Sequence, residues 1–193
     1  KYTERKALTQ PFNPTDDEQA LYERISAFLQ KEDSYALPKQ QRHLTSLILR
    51  KLLASSSHAV AATLITIRER LQNLLAVGAT EDDGTELVEQ LIAEDDLEQD
   101  YLEEEASEDE EPLAAVVPAT VPDGNPNASR LPISTEIEEL SAFIDAAQSL
   151  QTDTKAQALL KALALGFGKM AELRAPRKAI IFTESRRTQE YLH

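Results

Sequence analysis

From Leu71 to Ser129 the chain carries no lysine or arginine but 18 aspartates and glutamates. A stretch of one sign repels itself and builds a core only where apolar residues recur regularly within it. Leu87, Leu91 and Ile92 recur in that way and read as one amphipathic helix. The later part, Leu102 to Glu111, has no such spacing and is too charged to bury a face. It is expected to be mobile. The fold must therefore be made on either side of this stretch. The formal net charge is −14, yet removing the stretch leaves 16 acids against the same 20 bases, a net of +4. Overall acidity thus does not exclude a polyanionic partner for the rest.

A length of 193 residues allows one or two small domains with a real core. Five glycines and nine prolines are too few for the many tight turns of an all-β sandwich, so helices are favoured. Cysteine is absent, which excludes a disulfide framework, a thiol nucleophile and any cysteine-held zinc or iron–sulfur site. No apolar run approaches the roughly 20 residues that span a bilayer, and no signal-peptide pattern opens the chain. No membrane contact is expected, and a cytoplasmic location is. The chain begins at Lys1 and stops at His193 inside a helical pattern, so it reads as a piece of a longer protein.

Apolar periodicity sets out the elements. After an extended lead-in over 1–14, with Tyr2, Leu8 and Phe12 its bulky apolar groups, Thr15 caps a helix whose first turn holds Asp16, Asp17 and Glu18. Leu21, Ile25, Phe28 and Leu29 carry it to Lys31. A second helix is expected from Pro38, with Leu44, Leu47, Ile48 and Leu52, and Ser55-Ser56-Ser57 breaks it. A third carries Leu64, Ile67, Leu71, Leu74 and Leu75 to Gly78. Prolines between Pro112 and Pro132 read as a linker. Helical spacing resumes from Thr135 to Leu150 through Ile137, Leu140, Phe143, Ile144 and Ala147, and again from an Asp153 cap to Gly166-Phe167-Gly168. Met170 reads as core filler. Lys178-Ala179-Ile180-Ile181-Phe182 is a continuous apolar run after Pro176, the pattern of a buried parallel strand. Thr183-Glu184-Ser185 forms a turn into a helix over Arg186–Leu192. The expected class is mainly α, with one strand–helix unit at the C-terminal end.

Three segments, in order, carry a resemblance. Asp153-Thr154-Lys155 opens a helix that precedes Lys178-Ala179-Ile180-Ile181-Phe182-Thr183-Glu184-Ser185-Arg186. This pair resembles the start of the second RecA-like (P-loop-type) lobe of Swi/Snf-like superfamily-two helicases and translocases, with its motif IV turn. Leu8-Thr9 with Gln19-Ala20-Leu21-Tyr22 is similar to the segment leaving the first lobe. Leu44-Thr45-Ser46-Leu47-Ile48-Leu49-Arg50-Lys51-Leu52-Leu53-Ala54-Ser55 is similar to the leucine-arginine helix between the lobes. The resemblance covers roughly 1–75 and 135–193. It implies inter-lobe helices over 1–79, an acidic insertion over 80–132 and the opening of the second lobe over 133–193. It also implies that the parent protein uses ATP and Mg2+ and acts on DNA. The chain itself departs from the family where chemistry is concerned: it has no G-x-x-x-x-G-K-[ST] loop, no Asp-Glu-x-His motif and no distal arginine finger. Phosphoryl transfer needs those parts together, so no catalytic residue is assigned and the chain alone is expected to hydrolyse nothing.

The resemblance implies that Thr183, Ser185, Arg186 and Arg187 lie close to nucleic acid. A helix opening after a strand, with hydroxyls and arginines beside it, suits phosphate contact. The alternative is that Thr183 or Ser185 merely caps the helix and both arginines are solvated. Arg42, Arg50, Lys51, Arg68 and Arg70 are basic positions on the earlier helices. Arg50 and Lys51 lead as candidates for a phosphate-tracking face, against ordinary solvation of helix surfaces. No aromatic platform is interleaved with them. The acidic stretch either is a solvated insertion, or binds a basic protein partner or a basic cleft of its own chain. It lacks the calcium-loop pattern. His43, His58 and His193 have no ligand spacing for a metal, and no G-x-S-x-G elbow is present. The competing function is a non-enzymatic helical interaction module whose acidic arm recruits a basic protein.

Overall fold

The computed structural model describes residues 9–31, 33–40, 42–79, 84–95, 126–150, 153–183 and 185–193, without the side chains of 95 and 126–130. The expected lead-in over 1–8, the acidic run 96–111 and most of the linker lie outside the described residues, as does Glu184 of the turn. Among those described, the molecule is mainly helical and holds no strand. Seven helices follow in order: α1 (Asp16–Leu29), α2 (Arg42–Ser55), α3 (Ser57–Val77), α4 (Thr85–Asp95), α5 (Pro126–Ser149), α6 (Thr154–Glu172) and α7 (Arg186–Leu192).

Their ends follow from local chemistry. Thr15 and Glu18 form a reciprocal capping box: the Glu18 amide donates to Thr15 Oγ1 at 3.2 Å, and the Thr15 amide donates to Glu18 Oε2 at 2.7 Å. Ser56 caps α3, accepting from the Ala59 amide at 3.1 Å. Gly78, at φ 71°, ends α3 in the left-handed conformation that glycine adopts without strain. Asp153 caps α6 through Oδ1, which accepts from the amides of Lys155 and Ala156.

Three boundaries differ from expectation. α2 starts at Arg42, because residues 34–40 form the α1–α2 loop instead. The last residues of the expected linker, 126–132, belong to α5, with Pro126 at the helix start, where its missing N–H is no loss. α6 runs through Gly166 and Gly168 to Glu172. Nothing packs within 4 Å of a side chain at either glycine, and the turn out of the helix is made at Arg174, φ 52°.

α3 is the axis of the molecule. It packs against α2, α4, α5 and α7. Ala59, Val60 and Ala61 keep its first turns narrow, and Leu64, Ile67 and Leu71 are fully buried further along. Burial of one such large side chain is worth about 1.5–3 kcal/mol. α1 and α5 close one flank, where Phe28 meets Phe143 edge-to-face at 5.6 Å between ring centroids. Leu87, Val88 and Leu91 of α4 complete the core. It draws on residues from Leu21 to Leu91 and again from Ile133 to Ala147, so the first part of the acidic stretch, with α4, shares one interior with the helices on either side of it.

The α1–α2 loop is held by charge. Glu136 of α5, 8% exposed, accepts from Ser34 Oγ at 3.0 Å and from the amides of Tyr35 and Ala36 at 3.0 and 2.8 Å. Arg70 of α3 donates to the carbonyls of Tyr35 and Ala36, and Arg42 to those of Lys31 and Ser34. A loop tucked against a core needs partners for its backbone, and here charged side chains supply them.

α6 buries none of its residues, and Met170 is only partly covered. The apolar run 178–182, expected to be a buried strand, pairs with no strand among the described residues and is exposed: Ile180 by 82% and Phe182 by 90%. A strand acquires hydrogen-bond partners and a buried face only from neighbouring strands, and the described residues supply none.

Candidate functional site

The expected nucleic-acid residues cluster around α7. A helix of seven residues is not stable alone, so its position depends on docking. Ser185, buried, accepts from the Thr188 amide at 3.2 Å and thereby caps the helix. Thr183 Oγ1 accepts from the Ser185 amide at 3.3 Å. Thr188 is buried, its hydroxyl 2.6 Å from Ser55 Oγ and 2.8 Å from Ser56 Oγ. Tyr191 stacks on His58, ring centroids 5.6 Å apart and 18° from parallel. These contacts fasten α7 to the corner between α2 and α3.

The two arginines of α7 have different surroundings. Arg186 is exposed and pairs with Glu190 one turn on, N to O 3.4 Å. Arg187 turns inward: its side chain is 11% exposed and donates to Thr63 Oγ1 of α3 and to the carboxylate of Glu94 of α4. Glu94 also accepts from Thr66 Oγ1 at 3.2 Å. Arg187 therefore ties three helices together, and a guanidinium so enclosed is a strut before it is a ligand for phosphate. Arg50 is exposed and Lys51 half-buried. Both lie about a turn before Ser55, the residue of α2 that meets Thr188. Of the other basic candidates, Arg42 and Arg70 hold the α1–α2 loop. Arg68 reaches Ser141 Oγ at 3.4 Å, and its buried Nε has no hydrogen-bond partner.

In the sequence Ser55-Ser56-Ser57 reads only as a helix break. The structure gives Ser56 two duties, capping α3 and holding Thr188. Its signal was present: three consecutive hydroxyls at a junction offer more bonding capacity than one cap uses.

A second feature was not anticipated. A cleft of about 260 Å3 opens where residues 12–14, α1, the end of α2 and the start of α6 meet. Phe12, Pro14, Leu53 and Ala54 form its apolar walls. Tyr22 and the first residues of α6, Asp153 to Lys155, supply its polar groups. Lys155 Nζ stands 5.4 Å from the centre of the Phe12 ring. Beneath the start of α6, the amide of Thr154 donates to the buried Glu18 Oε1 at 2.9 Å. Burial pushes the Glu18 carboxyl up, but bonds from the amides of Thr154 and Thr15 and from their side chains hold it below its ordinary value of 4.5. The Tyr22 phenol is pushed up to about 12 by burial and by the charges of Asp153 and Glu18.

The described residues do not fit a nucleotide–magnesium site. Among them no three histidine or carboxylate side chains come together where they could hold a metal ion, and no glycine-rich loop leads from a strand into a helix. No described helix is long and apolar enough to cross a membrane. Comparison with protein-family models, curated proteins and solved structures finds no match to this chain.

Proposed function

We propose that the chain is part of a Swi/Snf-like, superfamily-two, ATP-dependent nucleic-acid translocase or helicase, contributing inter-lobe helices and the opening of the second RecA-like lobe. The observation that carries this reading is the exposed apolar run Lys178–Phe182, joined through a Thr183–Ser185 turn to a docked helix. A run with Ile180 and Phe182 in solvent is costly as an isolated segment and natural as a strand awaiting a sheet. The order of the three family-like segments supports the same conclusion. In this reading Thr183 and Arg186, with Arg50 and Lys51, meet the phosphate backbone of DNA. Ser185 and Arg187 hold α7 where that contact is made. ATP and Mg2+ are bound by other parts of the parent, and no step of the hydrolysis runs through the residues described.

The test is ATP hydrolysis by the native gene product, with and without duplex DNA, beside the 193-residue chain. Hydrolysis stimulated by DNA in the native product and absent from the isolated chain is the expected result. A native product that ends near His193 and hydrolyses no ATP would sink the reading. It would leave a helical interaction module with a basic protein partner, favoured by a core that is built from helices among the described residues.

A further inference from the structure

We infer that the solvent face of α2 tracks the phosphate backbone of DNA through His43 and Ser46 as well as Arg50. The inference rests on the nucleic-acid reading and extends its contact from the last turns of α2 to the length of the helix. Between Ser34 and Arg68 the chain has no aspartate or glutamate. In a chain where 34 of 193 residues are acidic, a stretch of that length would hold about six by composition alone. α2 lies wholly inside it. The cations of α2 differ in their surroundings. Arg42 is engaged by the carbonyls of Lys31 and Ser34, and Lys51 is half-buried. Arg50 is exposed, and among the described residues its guanidinium meets no carboxylate.

Helical spacing puts His43, Ser46 and Arg50 on one side of α2, while Thr45, Ile48, Leu49 and Leu52 face the core. His43 and Arg50 are exposed and Ser46 is half-buried. At 1.5 Å per residue the three spread over about 10 Å of helix axis. That is the axial rise of about three phosphates along one strand of a duplex, at about 3.4 Å each. Imidazole, hydroxyl and guanidinium all donate to phosphate oxygens, and none of them needs a particular base to do so. The same face does not suit a protein. A protein partner is held by a buried apolar or aromatic anchor at the centre of its interface, and α2 exposes no large apolar side chain. α7 docks at the C-terminal end of α2, where Thr188 meets Ser55 at 2.6 Å. Its exposed Arg186 therefore stands at the same end of α2 as Arg50.

The experiment measures binding of duplex DNA to the native gene product at neutral pH, by fluorescence anisotropy across a salt series. Ser46→Glu and His43→Glu each set a carboxylate in the phosphate track, and each is expected to weaken binding about tenfold or more. Gln72→Glu makes the same charge change at an exposed position of α3 away from this face, and should alter affinity less than about twofold. Arg50→Ala should reduce the salt slope by about one, whereas His43→Ala, which removes a neutral donor, weakens binding a few-fold and leaves the slope unchanged. Thermal melts of each variant separate lost contact from lost fold, and the two glutamate sites give independent chances of a folded variant. Wild-type affinity in both glutamate variants, while the native product still binds DNA, would overturn the inference and leave the nucleic-acid reading standing. An equal loss in Gln72→Glu would overturn it too, since net charge and not the α2 face would then govern binding. A native product that binds no DNA removes both.

Discussion

Glu136 offers the sharpest test of how this fold is held. Its carboxylate sits between α5 and the α1–α2 loop, 8% exposed, with three donors converging at 2.8 to 3.0 Å. Glu136→Gln preserves volume and one carbonyl acceptor but turns an amide NH2 towards groups that are themselves donors. Either the Tyr35 amide loses its carboxylate partner or the Ala36 amide is left with Ser34 Oγ at 3.2 Å alone, at about 1–3 kcal/mol, and the remaining bonds lose their charge assistance. The expected loss is about 3 kcal/mol, which for a chain of this size lowers the melting temperature by roughly 6–12 °C. Glu139 provides the control from the same helix. It pairs with Lys31 at 2.6 Å, but the lysine is half exposed, so Glu139→Gln should cost under about 1 kcal/mol. Urea unfolding followed by far-UV circular dichroism measures both. If Glu136→Gln costs no more than Glu139→Gln, burial and donor count do not govern this loop and the reasoning is wrong.

Other consequences are equally open to measurement. The Glu18 carboxyl lies below its ordinary value in the folded state, so its stabilisation is present above about pH 4.5 and is lost as pH falls through the lowered folded value. Melting temperatures from pH 6 down to pH 3 should fall more steeply in the wild type than in Glu18→Gln. The Tyr22 phenol is raised to about 12, so its contribution holds below about pH 10 and disappears as pH rises through 12. Ultraviolet titration should find Tyr22 ionising later than the other tyrosines, Tyr191 being raised less by its burial and by Asp153, and Tyr22→Phe should remove the latest step. Arg187→Ala frees α7 from Thr63 and Glu94, and hydrogen exchange at Thr188 and Gln189 should accelerate while the core amides keep their protection. For DNA binding by the native product, Arg186→Ala should reduce the salt slope by about one.

What was legible in the sequence was local. Thr15 before its acidic first turn, Asp153 before apolar periodicity, and Gly78 after it mark helix ends because caps act over three or four residues. The stripe Leu64, Ile67, Leu71, Leu74 was equally readable, since one helix face alone defines it. The roles of the charged residues were not. Arg70 and Arg42 look like surface cations until the chain brings the carbonyls of residues 31–36 to them. Arg187 reads as a phosphate ligand, and no local pattern shows that α4 also sets Glu94 against it. Such partners lie many residues away in sequence, and no local pattern records them. The strand reading of 178–182 rested on apolar content, which describes what a segment prefers to touch and not whether the neighbour is at hand.

The core shared by α3 and α5 also bears on how the chain can be divided. Its described contributions come from residues up to Leu91 and from Ile133 onwards, so a break between Asp95 and Pro126 leaves every contact among the described core residues in place. The covalent connection between α4 and α5 supplies local concentration: it keeps α5 near α3. Residues 1–95 and 126–193, made as separate chains, therefore carry between them every buried contact among the described core residues, and they should recombine with an affinity that reflects the α3–α5 seam. The molecule is in that sense a heterodimer written on one polypeptide.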